Sequence, residues 1–145
     1  MNASTQAVSI GAMSKIASIP VLFRSEFPST NVDLSPWSMD EQTQQDWDPN
    51  SLDFAFSFSD WHAYLSCGCV LLQACFLHKL SEENNSFHGV KAYGHGYRNQ
   101  YWRFSSVTDW RFYGDSLPTD TCQQQLKYIA NQIHALFGCP ASLHH

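Results

Sequence analysis

Ser116 is the first residue with reactive promise, because a serine between a strand and a helix can present its Oγ as a nucleophile. It stands in Gly114-Asp115-Ser116-Leu117, after an aromatic run and before a helical pattern. Acyl transfer also needs a base within reach of Oγ and N–H donors aimed at the oxyanion. Downstream, Asn131 rather than Asp stands three residues before His134. The same string reads as a turn and a helix start, with Gly and Asp for the turn and Pro118 and Thr119 opening the helix. Cys67, Cys69 and Cys75, with His78 beyond them, suggest a metal site. Zinc requires four ligands converging on one point. On a strand these three cysteines share one parity and spread over about 27 Å, so only a sharp bend at Gly68 would gather them. They read instead as buried thiols acting as small hydrophobes. A nucleophilic pair of Cys69 or Cys75 with His62, His78 or His95 has no local sequence feature placing base beside thiol. Gly94-His95-Gly96 is half of a dinucleotide fingerprint, but Asn99 stands at the third glycine position and no helix follows. No cofactor and no metal are expected.

The four residues Gly114 to Leu117 resemble the nucleophile block of the GDSL esterase family. That resemblance implies a larger parallel α/β domain with the block near its amino terminus and the Asp and His near its carboxyl end. Neither arrangement is found in this pattern of elements.

The richer signal is an aromatic and basic band comprising Tyr93, Tyr97, Tyr101, Trp102, Arg103, Phe104, Trp110, Arg111, Phe112 and Tyr113. Tyr, Trp and Arg bury large areas while keeping polar ends, which suits them to protein interfaces. Within the band, Tyr97, Tyr101, Trp102, Arg103, Trp110, Arg111 and Tyr113 are the expected partner-binding residues. Alternation sends Tyr101, Arg103, Arg111 and Tyr113 to one sheet face. The acidic residues Asp40, Glu41, Asp46 and Asp48 cluster upstream. They are expected either to fold back on this face or to be replaced there by a partner's acidic tail.

Several elements must position these residues. Leu52, Phe54, Phe56 and Phe58 alternate with polar or small residues through Ser59, as in a half-buried strand. Cys67 to Leu77 is almost continuously apolar and reads as a central strand covered on both sides. A polar loop spans Ser81 to Ser86. Phe87 to Tyr97, Gln100 to Ser106 and Trp110 to Tyr113 complete a meander, with Arg98-Asn99 as a turn. The glycines at 89, 94 and 96 mark bends or close backbone approach. Cys122, Leu126, Ile129, Ala130, Ile133, Leu136 and Phe137 then recur at helical spacing. Asp120 with Gln123 gives a capping-box start, and Gly138 and Pro140 end the helix. The expected fold is α+β: an antiparallel sheet of four or five strands with one C-terminal amphipathic helix on one face.

The chain has 145 residues, enough for one ordinary domain. Residues 1–50 lack periodicity and carry Pro20, Pro28, Pro36 and Pro49, so an extended or partly disordered arm is expected there, with the α+β domain at 51–145. Met39 is a candidate alternative start, which would make residues 1–38 dispensable. Eight Lys and Arg against 13 Asp and Glu give a net charge of −5, which opposes nucleic-acid binding. No apolar run is long enough to span a membrane. Five cysteines, three of them in one apolar run, do not form a disulfide framework, so a reducing cytoplasmic location is expected.

From Trp47 to Phe137 the sparse lysine, the Gln- and Trp-rich texture, and the meander with a terminal helix resemble small cyanobacterial assembly chaperones of the β-carboxysome shell type. The likeness lies in composition and element order rather than in a motif. It implies a non-catalytic cytosolic chaperone that binds a shell protein's tail. The expected function is therefore protein binding or assembly through the aromatic and Arg-bearing sheet face. The partner would be a peptide tail or assembly subunit, with a homodimer left open. Two alternatives stand beside it: a small-molecule pocket between helix and sheet under Leu126, Ile129 and Ile133, and a hydrolase using Ser116 or a cysteine.

Overall fold

The computed structural model of the chain describes residues 10–34, 50–77 and 86–138. In order these form α1 (Ile10–Glu26), β1 (Asn31–Asp33), β2 (Ser51–His62), β3 (Cys67–Phe76), β4 (Phe87–His95), β5 (Gln100–Ser105), β6 (Phe112–Gly114) and α2 (Asp120–Leu136). The six strands make one sheet in sequence order, and every neighbouring pair is antiparallel. The class is α+β, as the patterning implies. The described residues hold six strands rather than four or five, and two helices rather than one. The expectations for Met39, the acidic cluster 40–48, His78, residues 81–85 and Cys139 fall outside the described residues.

Period-two alternation gives the sheet two different faces. Leu52, Phe54 and Phe56 of β2, Val70, Leu72 and Ala74 of β3, and Val90 and Ala92 of β4 are buried in one core cluster. Trp102 and Phe104 of β5 and Phe112 of β6 extend it, and both helices close over it. Gly94 is needed in this layer because a β-carbon there would overlap the Trp102 indole, which lies directly across the β4–β5 pair. The indole Nε1 donates to the Leu65 carbonyl at 2.6 Å, so the buried N–H keeps a partner.

The α2 stripe is buried at Cys122, Leu126, Ile129, Ala130 and Ile133. Its start differs by one residue from the expected capping box. Thr119 is the N-cap and accepts from the Cys122 N–H, while Gln123 Nε2 reaches back to the Pro118 carbonyl at 3.0 Å. Gly138, at φ 78°, takes the left-handed position that ends the helix and donates to Ala135 O.

The largest departure from expectation is at the amino-terminal side. Residues 10–34 are not an extended arm but a helix, a turn and an edge strand. Ile16, Ile19, Phe23 and Phe27 are buried at 3-4-4 spacing, one stripe of a helix. Phe23 stacks on Phe56 with ring centroids 3.9 Å apart. The helix continues through Pro20, although that residue supplies no N–H to the turn before it. Arg24 then donates through Nε and Nη2 to the Thr30 carbonyl, fixing the turn into β1. Removing residues 10–34 would take Ile16, Ile19, Phe23 and Phe27 out of the core. Phe23→Ala should cost about 3–5 kcal/mol of stability, the usual range for emptying a buried aromatic site. Urea unfolding of the full chain measures it, and an unchanged midpoint would mean that α1 contributes nothing to the core.

Candidate partner-binding face

The face away from the helices carries the residues opposite in parity to the core. Across β2 to β5 one row runs Asp53, Gln73, Lys91, Ser105. The next runs Ala55, Leu71, Tyr93, Arg103, Tyr113. On the β2–β3 half, Ser51, Asp53, Gln73 and Cys75 are buried, and Ser51 Oγ donates to Asp53 Oδ1 at 2.6 Å. On the β4–β6 half, Arg103, Arg111 and Tyr113 are exposed.

The seven expected partner-binding residues separate into three groups. Arg103, Arg111 and Tyr113 come together with Lys91, Tyr93 and Ser105 around a depression of about 300 Å³. The Arg103 guanidinium lies 5.7 Å from the Tyr113 ring centroid. The Tyr113 hydroxyl donates to Asp109, which also accepts from the Arg111 N–H at 3.2 Å and the Thr108 hydroxyl at 3.3 Å. The hydrogen bond from Tyr113 holds the Asp109 carboxyl below its ordinary range, and its mirror effect raises the Tyr113 hydroxyl. Tyr101 and Tyr97 lie toward the opposite end of the sheet. Tyr101 meets Trp61 edge to face at 5.0 Å, and Tyr97, 96% exposed, sits in the β4–β5 turn with Arg98 over its ring. A second groove of about 180 Å³, lined by Gln100, Tyr101 and Asp115, shares Arg103 and Tyr113 with the first. The two make one track along β5 and β6.

Trp102 and Trp110 do not belong to this face. Trp102 is 1% exposed because its strand position points at the helices. Trp110 adopts a left-handed backbone at φ 62°, and its ring packs on His134 of α2 and on Phe104. Both are corrections to the sequence-based set, and both follow from β5 parity and the turn before β6.

The other reactive candidates separate as well. Ser116 precedes α2 and its N–H pairs with Tyr101 O, whereas His134 lies in the last turn, about 20 Å along the helix. Cys67 is in the core beside Trp102 and Cys122, while Cys69 lies across the sheet between Ser57 and His95. Burial, then the neighbouring Cys69, pushes the Cys67 thiol from 9.0 to about 12. Burial, with Asp33, also raises Cys69, so neither is poised as a thiolate. Among the described residues no group of three or more His, Cys, Asp or Glu is arranged to hold a metal. Leu126, Ile129 and Ile133, proposed to roof a ligand cavity, are sealed in the core.

One pairing escaped sequence reading. Ser106 Oγ lies 2.8 Å from His134 Nε2 and accepts from the Val90 N–H at 2.7 Å. The His134 ring is buried between Phe87 and Trp110, so the contact ties α2 to the sheet and offers no cleft to a substrate. The available signal was a histidine beside Ile133 in the apolar stripe, but nothing in local spacing pointed to Ser106.

The chain belongs to a family described as a domain of unknown function, whose profile it matches over residues 4–139. No curated protein and no solved structure matches it. No helix among the described residues is long and apolar enough to cross a membrane.

The Cys67 shift sets a pH dependence with a definite sign. In the unfolded chain the thiol ionises near its ordinary value, while the folded form keeps its proton to about 12. Between those values the unfolded state binds fewer protons, so stability is present below the lower one and is lost as pH rises toward the upper. Urea midpoints should therefore fall across about pH 9 to 12, and fall less in Cys67→Ala. Identical slopes for the two proteins would contradict a buried neutral thiol.

Proposed function

We propose that this is a non-catalytic protein-binding domain that holds an extended acidic segment of a partner along β5 and β6. The observation that carries the reading is the gathering of Lys91, Arg103 and Arg111, three of the chain's eight Lys and Arg, around one depression. The chain as a whole is negative, so this is a local reversal of its field. The nearby Asp109 carboxylate is already engaged by the Tyr113 and Thr108 hydroxyls.

A partner carboxylate entering here would meet two guanidinium forks, which bind carboxylates with two parallel hydrogen bonds. The groove past Arg103 would take the next residues of the segment, with Tyr101 and Trp61 offering ring surface at its far end. A sheet buttressed by two helices supplies a rigid platform, which reduces the ordering cost of binding. Holding a tail without transforming it fits an assembly-chaperone role in the cytoplasm, the role that the chain's resemblance to shell-assembly chaperones implies.

Fluorescence anisotropy of the full chain with labelled extended peptides tests the reading, comparing an Asp- and Tyr-containing peptide with its Asn counterpart. The acidic peptide should bind more tightly, and Arg103→Glu should weaken it by about tenfold or more, equivalent to about 1.4 kcal/mol. Arg98→Glu, outside the depression, should leave affinity within about twofold. Equal affinity for the two peptides, or full affinity in Arg103→Glu, would remove this face from the function.

A further inference from the structure

Resting on the peptide reading above, we infer that the Lys91–Arg103–Arg111 pocket is selective for a phosphate monoester on the partner segment over a plain carboxylate. Three cations line the pocket, and Asp109 accepts from the backbone N–H of one of them, Arg111. Asp109 accepts from the Tyr113 hydroxyl, the Thr108 hydroxyl and the Arg111 N–H, and its single negative charge beside Arg111 offsets one of the three, which leaves a local excess of two. A single Asp or Glu side chain neutralises half of that excess. A phosphorylated Ser, Thr or Tyr carries about −1.5 to −2 charges at neutral pH and three acceptor oxygens.

The arrangement of donors fits a tetrahedral oxyanion. Ser105 lies directly across from Lys91 and two residues along β5 from Arg103, on the same face, so a small residue forms the floor among long cationic side chains. Its Oγ accepts from the Val107 N–H at 3.1 Å, which leaves the hydroxyl proton for an incoming oxygen. Arg103 is held over the Tyr113 ring, and Tyr113 is itself fixed by Asp109, so one fork is oriented before any ligand arrives. The void of about 300 Å³ holds such a group and the first atoms of the side chain bearing it. A nucleic-acid backbone fits less well, because a polyanion needs a long basic track and the chain's net charge is −5.

The test is a titration of the isotope-labelled full chain, followed by NMR, with N-acetyl-phosphoserine amide, N-acetyl-aspartate amide and inorganic phosphate. The phosphoserine amide should shift the Arg103 and Arg111 Nε–H and Ser105 amide signals and bind about tenfold more tightly than the aspartate amide. Its affinity should drop as pH falls through about 6, where the second phosphate proton returns. Arg103→Gln and Arg111→Gln should each weaken it by about fivefold with an unchanged near-ultraviolet circular dichroism spectrum. Equal affinity for phosphoserine and aspartate amides would overturn phosphate selectivity while leaving the acidic-peptide reading in place. Inorganic phosphate binding as tightly as the phosphoserine amide would overturn a partner side chain as the source. Shifts confined to other residues in the unmutated chain would overturn the site itself.

Discussion

The structure depends on one close approach, the Trp102 indole resting where Gly94 has no side chain. This pairing fixes the register of β4 against β5. A slip of one residue would turn every side chain on β5 to the opposite face. Arg103 would then enter the apolar layer and Trp102 would meet water, both at large cost. The Nε1 bond to Leu65 O adds a directional constraint from the turn between β2 and β3. The same turn receives the Thr119 N–H at its Tyr64 carbonyl, so the start of α2 is tied to the strand pairing as well.

With that register in place, the division of labour between the faces follows. The apolar layer accepts α1 and α2, which leaves the other face free of any packing demand from the helices. Along β5 this frees positions 101, 103 and 105 to carry a ring, a cation and a small hydroxyl in sequence. Trp110 reinforces the arrangement. Its left-handed backbone seats its ring under His134 while the next residue, Arg111, remains exposed. The cost of that conformation, roughly 1–2 kcal/mol for a residue other than glycine, is offset by ring burial against α2.

The meander and α2 were legible because their signals are local and strong. Phe54, Phe56 and Phe58 alternate cleanly, and the α2 stripe runs unbroken for four turns with caps at both ends. The first helix was not legible for two physical reasons. Pro20 sits in its middle, and serines and exposed Val21 dilute the Ile16, Ile19, Phe23, Phe27 stripe. Only tertiary contact with Phe56 reveals which of those residues count. The three-residue β1 is too short for periodicity to register. At the candidate site, parity correctly sent Arg103 and Tyr113 outward. Lys91 was missed because its contribution depends on the β4–β5 register, which no single-strand pattern contains.

The first helix also has a consequence for the order of events during synthesis. Its apolar stripe is made before its partners: Phe56 follows Phe23 by 33 positions, and Gln125, whose amide donates to Glu26 O at 3.3 Å, follows Glu26 by 99. At about 5–20 residues per second, that last partner arrives some seconds after the helix itself. Throughout that interval Ile16, Ile19 and Phe23 have no finished surface to cover them, although the rest of the sheet is assembled from neighbouring hairpins. Until β2 and α2 have both been made, this stripe is an apolar surface without its packing partners, the kind of surface that promotes aggregation of incomplete chains.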